Sequence, residues 1–230
     1  MTPSAPPPEN CLIRNDWICG EYITTRASDL GEALVQHLGI VVASVLFGLV
    51  LAFPLALLAR RYRRLEGVVV GTTTAIYTIP SLALFSLLVP LTGLGPTTVV
   101  LGLGLYSLTI LVRNVLDGLS AVSVDVREAA TGMGYGASRL LFKVELPLAL
   151  PTIMAGIRVA TVSAVALTTV GAILDYGGLG DLLIQGKQSN FKAQVLVTSA
   201  LCVLLAIALD LILVGVQRVL TPWTRTGETA

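Results

Sequence analysis

Residues 123–147 read SVDVREAATGMGYGASRLLFKVELP, a polar interruption set between long apolar runs. The stretch is too long and too charged for a turn, and it reads as two short helices with a break between them. Asp125 with Glu128 three residues on has the spacing of a capping box, which starts the first helix. Ala129 and Ala130 leave one face small enough for another protein to approach closely. Gly132, Gly134 and Gly136 end that helix, because glycine accepts the left-handed backbone that terminal turns need. A second amphipathic piece sets Leu140, Leu141, Val144 and Leu146 against Arg139, Lys143 and Glu145, and Pro147 closes it. An ordinary loop between two membrane helices would share this general character.

Working outward, the flanks are those of a membrane protein. Hydrophobic residues make up 54% of the 230 and charged residues 13%, and the mean hydropathy is +0.84. That balance excludes a sizeable soluble domain. A net charge of +1 offers nothing to nucleic acid. Five apolar segments follow one another at about 34–59, 68–91, 97–116, 148–174 and 193–216. Each meets or approaches the roughly 20 residues that cross a hydrocarbon core of about 30 Å. The third is the least apolar, because of Gly102, Gly104 and Ser107. The expected fold is therefore all-α, with five transmembrane helices in a membrane domain at 33–217. A tail at 1–32 precedes that domain and a tail at 218–230 follows it. No internal repeat is visible, and the only biased tract is the proline-rich 3–8.

Positive charge orients the chain. Arg60, Arg61, Arg63 and Arg64 crowd the loop after the first segment. Arg113, Arg127, Arg139, Lys143 and Arg158 lie between the third and fourth or at their ends, and Arg218 and Arg225 follow the fifth. With these regions cytoplasmic, eleven of the fifteen basic residues are inside. The amino terminus is then outside, and the carboxyl terminus and the 123–147 loop are inside. The first tail has no apolar h-region, so no cleavable signal peptide is expected. Cys11 and Cys19 lie in this exported tail, where a disulfide and two free thiols are equally consistent with the sequence. Cys202 reads as a small apolar packing residue.

Catalytic chemistry finds no foothold: the sequence offers no catalytic residue set and no metal-ligand spacing. His37, the single histidine, reads as a hydrogen-bonded residue near the outer end of the first span. The stretch 180–188, GDLLIQGKQ, has one residue too many between its glycines for a phosphate loop and lacks Ser or Thr after Lys187. Asp210 is expensive at depth, and its distance from Arg218 suggests an interfacial position. Pro80 interrupts the second segment and deprives the Ile76 carbonyl of its helical donor. It reads as a packed kink ahead of a transport-path kink. The loop 175–181, DYGGLGD, reads as an outer turn or part of an external gate.

The triplet Glu128-Ala129-Ala130, then Gly134 after three residues, then Val144-x-Leu146-Pro147 after nine resembles the EAA motif of ABC-importer permeases. Val144 stands where isoleucine is usual. The resemblance implies a type I importer permease fold in the bacterial plasma (inner) membrane. It also implies that this loop, with Asp125 at its head, is a coupling helix docking on a cytoplasmic ABC ATPase dimer. ATP and Mg would sit on that ATPase, this chain binding no cofactor and catalysing nothing. A second permease subunit, identical or paralogous, and a separate extracytoplasmic binding protein are the other implied partners, besides membrane lipid. The run Tyr77-Thr78-Ile79-Pro80-Ser81-Leu82-Ala83-Leu84 and the glycine loop are similar to the osmoprotectant branch, whose solutes are glycine betaine, carnitine, choline or proline betaine. Tyr77, Pro80, Ser81 and Tyr176 are then candidates for the translocation path. An amino-acid permease of the same superfamily is the main alternative, and an ion-coupled secondary carrier built on Asp210 a more remote one.

Overall fold

The computed structural model describes residues 10–225, and every regular element among them is helical. The proline-rich tract and the end of the second tail lie outside the described residues. Two short helices, α1 (Cys11–Arg14) and α2 (Gly20–Thr25), lead into the first long one, α3 (Ala27–Arg61). A bent pair follows, α4 (Arg63–Thr78) and α5 (Ser81–Thr92), and then α6 (Pro96–Ser120). The motif segment holds α7 (Val124–Gly132) and α8 (Ala137–Leu140). From α8 the chain runs unbroken through a π turn at Leu141–Glu145, α9 (Leu146–Thr168) and a 3-10 turn at Thr169–Leu174. Then come α10 (Leu179–Gln188) and α11 (Lys192–Leu220), and a 3-10 turn at Pro222–Arg225 ends the described chain.

Four of these helices are long and apolar enough to cross a membrane: α3, α6, the 137–174 run and α11. The second expected span differs. It is not one helix over 68–91 but a pair bent by 101° at Ile79–Pro80. The two halves must still cross together, because α3 and α6 both end beside the motif segment: Arg60 of α3 reaches Glu145, and Arg127 of α7 reaches the Leu119 carbonyl of α6. The chain alternates sides accordingly. Residues 10–30 and α10 lie opposite the motif, while α11 ends on the motif side.

Pro147 also departs from expectation, since the helix continues through it. In a regular α-helix a proline ring crowds the carbonyl four residues back and removes one hydrogen bond, a cost that α3, α5 and α9 bear at Pro54, Pro90 and Pro151. The π turn immediately before it, closed by the Leu146 N–H on the Leu141 carbonyl, widens the backbone there and removes that conflict. The fourth expected segment and the second amphipathic piece are therefore one rod.

The core lies where α3, α6 and α9 meet. Ala52 and Ala56 of α3, Leu108, Leu111, Val112, Val115 and Leu119 of α6, and Ala149, Ile153 and Ala160 of α9 form its buried centre. Small residues set the spacing: a Cβ on Gly48 would stand 3.0 Å from the Gly104 carbonyl oxygen, so α3 and α6 cross backbone to backbone. By contrast, no residue in the most apolar stretch of α11 is buried.

Candidate functional site

The start of α7 is set by a residue that sequence reasoning passed over. Ser123 is the N-cap, with extended backbone (φ −60°, ψ 150°), and its hydroxyl accepts the Val126 N–H at 3.4 Å. Asp125, expected to begin the helix with Glu128 as its box partner, lies inside the first turn. There its charge still suits the positive end of the helix dipole. The other end closes at one of the three expected glycines, for Gly132 lies within the helix and Gly136 has φ −71°. Gly134 has φ +85°, its N–H bonds the Thr131 carbonyl at 2.9 Å, and the Tyr135 N–H reaches back to the Ala130 carbonyl at 3.1 Å. This is a Schellman closure with glycine at the left-handed position.

Exposure divides the motif residues. Asp125, Glu128, Ala129 and Gly134 face out, and Val124 (61% exposed) and Met133 (72%) put apolar surface beside them. Ala130 does not join them: at 2% exposure it is buried in its own chain, so of the two alanines only Ala129 is open to a neighbour. Val144, Leu146 and Pro147 are half-buried in the rod, with Leu146 packed against the core. They belong to the mount and not to the exposed edge.

The mount is electrostatic. Glu145, expected on a polar face, is only 3% exposed. The Arg60 guanidinium donates to both its carboxylate oxygens, at 2.5 and 2.9 Å. Arg127 brings its Nε within 2.9 Å of the same carboxylate, close enough to pair but without the alignment of a hydrogen bond. Arg127 spends a second nitrogen on the Leu119 carbonyl at 2.6 Å. One carboxylate thus fastens α3, α7 and the π turn together, with the end of α6 attached through Arg127. A cleft of about 510 Å³, lined in part by Arg61, Ser138 and Leu141, opens beside it. Next to Ser138, the Arg139 guanidinium lies 4.8 Å over the Tyr135 ring and braces the turn between α7 and α8.

Of the path candidates, the structure brings three together and leaves one apart. Tyr77, Pro80 and Ser81 flank the 101° bend, where Tyr77 meets Tyr106 edge to face at 5.7 Å. Neither carbonyl at the bend is orphaned. Ile76 accepts the Ile79 N–H at 3.2 Å, and the Tyr106 hydroxyl donates to the Ile79 carbonyl. Thr109 of α6 likewise donates to the Thr73 carbonyl at 2.6 Å. Tyr176 lies instead on the far face, packed with Val170 and Leu174 around Phe85 and Val99.

That far face is closed by the glycine loop. Gly178 has φ +58°, and a Cβ there would stand 2.7 Å from His37 Cβ and backbone N and 2.8 Å from the Ala33 carbonyl oxygen. His37 is fully buried; its Nδ1 lies 3.1 Å from the Gly177 carbonyl oxygen and its Nε2 3.1 Å from that of Val165. The ring therefore pins the loop to α3 and α9. Asp181 accepts the Gly177 N–H at 2.9 Å; burial pushes its carboxyl above the usual range, against that hydrogen bond, which lowers it.

Asp210 takes a bidentate hydrogen bond from Arg158, Nε to Oδ1 at 2.8 Å and Nη2 to Oδ2 at 2.9 Å, which joins α11 to α9. Cys11 and Cys19 are disulfide-bonded, and Cys202 is free and half-buried. Among the described residues no three His, Cys, Asp or Glu side chains gather as a metal site.

These features coincide with a known class. The family described as the binding-protein-dependent transport system inner membrane component matches residues 44–226, and the chain belongs to it. The glycine betaine/carnitine/choline transport system permease protein OpuCD of Bacillus subtilis (strain 168) is 36% identical over 204 residues, covering 88% of this chain and 89% of that protein. The osmoprotectant import permease protein OsmW of Salmonella typhimurium is 38% identical over 207 residues, covering 87% and 96%. Among solved structures, a chain of the MetNI methionine ABC transporter in an inward-facing conformation superposes with a TM-score of 0.75 at 21% identity, over 86% of this chain and 98% of that one. The fold is that of a type I importer permease, and the chain is a multi-pass inner-membrane protein.

Proposed function

We propose that this chain is the permease subunit of an ATP-driven importer for a quaternary-amine osmoprotectant, with α7 as the segment that docks on a separate ATPase. The observation that carries the reading is the mounting of α7: an exposed edge of Asp125, Glu128 and Ala129 on a helix fixed through one buried carboxylate to the long helices behind it. An element built to receive a push and share it has this form. The solute class comes from the relatives: the name of OpuCD specifies glycine betaine, carnitine and choline, and that of OsmW an osmoprotectant. ATP and Mg sit on the ATPase pair, a second permease copy or paralogue completes the path, and a separate protein delivers the solute from outside. The motif side is cytoplasmic and residues 10–30 are external, in keeping with the distribution of Lys and Arg. The membrane domain is 33–217, and the bend at Tyr77, Pro80 and Ser81, with Tyr176 above it, borders the solute path. Tyr77, 46% exposed, presents ring surface that suits a passing quaternary ammonium.

The test is uptake of labelled glycine betaine and choline into vesicles holding this chain with its ATPase and binding protein, with methionine as the competing amino acid. ATP-dependent uptake insensitive to methionine is expected; methionine uptake, or uptake driven by an ion gradient without ATP, refutes the reading. Docking is tested by two single-methyl changes. Neither Gly132 nor Gly134 has a neighbour within 4 Å of an added Cβ, so only the backbone distinguishes them. Gly134→Ala forces a Cβ into the left-handed region at a cost of about 1–2 kcal/mol and should weaken ATPase co-purification. Gly132→Ala, within the helix, should leave it intact or strengthen it.

A further inference from the structure

The segment before α3 is short, yet it is built. A disulfide closes residues 11–19, and Asn15 clips them to the α10–α11 turn. Its amide donates to the Asn190 carbonyl at 2.8 Å, and its oxygen accepts the Lys192 N–H at 2.9 Å. Tyr22 packs edge to face on Phe191 at 5.3 Å. Cys19, Tyr22, Leu30 and Ala193 form a buried cluster, with Leu182 and Val197 around it. The height of the segment is thereby fixed against the first turns of two membrane-crossing helices, on the face opposite the motif.

What it turns outward is apolar. Ile13 is 68% exposed, Trp17 54%, Ile18 86% and Ile23 49%. The helices that hold it continue into a lipid-facing band, with Val35 70% exposed on α3 and Val203 59% on α11. The exposed residues therefore lie where that band meets the headgroups, the level at which tryptophan concentrates. Charge does not supply the contact. Arg14 pairs with Asp16 at 2.8 Å and Arg26 with Asp29 at 3.1 Å, while Glu21 accepts from Asn10.

We propose that this disulfide-closed segment is an interfacial anchor, which sets Trp17, Ile13, Ile18 and Ile23 into the headgroup–acyl boundary of the leaflet opposite the motif. The occupant of the surface is lipid, engaged by apolar burial and not by anionic headgroups. The inference rests on the membrane-spanning fold and is independent of the solute.

The chain has two tryptophans, so Trp223→Phe leaves Trp17 as the sole reporter. The full-length variant would be placed in nanodiscs of zwitterionic lipid brominated either high or low on the acyl chain. High bromines should quench Trp17 roughly twofold more than low ones, aqueous iodide should quench weakly, and added salt should change neither. Ile18→Asp should raise iodide access, while Ile18→Leu, which preserves the apolar surface, should not. Strong iodide quenching with no response to bromine overturns the proposal. So does shielding of Trp17 that arises only when a binding protein or a second copy of the chain is added.

Discussion

A carboxylate at 3% exposure is tolerable only while its partners stay in place, and Glu145 has two of them on different helices. Removing Arg60 leaves one imperfectly aligned arginine against a buried charge. Arg60→Ala should therefore cost about 3 kcal/mol, seen as a lowered unfolding midpoint in detergent. Adding Glu145→Gln to it should recover part of the loss; strict additivity of the two changes would refute the coupling. None of this was legible beforehand. Glu145 looked like one charge on an amphipathic face, and its partner lies 85 positions away. The capping error at Asp125 has a more local cause. Both Ser123 and Asp125 are good N-caps, and the Asp-x-x-Glu spacing favoured the wrong one. Gly134 was read correctly because a left-handed terminus leaves few other residues to choose from.

Among the elements, the bent pair α4–α5 departs furthest from what hydrophobicity alone conveys. The apolar run over 68–91 carries the length of a span but no direction, and a proline within it is compatible with any bend from a mild kink upward. The bend is supported from α6, whose Tyr106 and Thr109 side chains donate to the Ile79 and Thr73 carbonyls. Donors on a neighbouring helix make non-helical backbone tolerable within the membrane. Pro80→Ala restores an N–H that can bond the Ile76 carbonyl, and it should favour a straighter pair. Spin labels at Val68 and Leu91 should then move apart, and transport should fall. An unchanged distance would mean that α6 alone enforces the bend. The π turn before Pro147 escaped notice for a related reason. Proline was taken as a stop, although one widened turn lets a helix pass it.

At the scale of the molecule, α3, α6 and α9 form the packed body, and α11 lies on its side, with Leu205, Ala206 and Leu209 against Val41, Val45, Ala164 and Val165 and polar bonds at two points along it. Gln194 holds the near end of α11 by donating to the Leu182 carbonyl and the Gln185 side chain, at 2.8 and 3.0 Å. Arg158 holds the far half through Asp210. Asp210→Ala should therefore loosen the end of α11 nearest the motif, raising amide exchange there while Lys192–Val197 stays protected. The charge-swapped double variant, Arg158→Asp with Asp210→Arg, should restore protection. Uniform exchange along α11 in the single variant would refute this picture. The multi-span helical architecture was visible in the sequence because segment length and apolarity are properties of the chain itself, whereas these attachments are made between segments. The continuous helix from Ala137 to Leu174 has a consequence at this scale. At about 1.5 Å per residue it is a strut of roughly 55 Å, with the motif at one end and the His37-pinned glycine loop at the other. It is a lever, and a tilt of about 5° at its base would swing its tip by about 5 Å. Work done by an ATPase could thus reach the opposite mouth mechanically, without first passing through the solute.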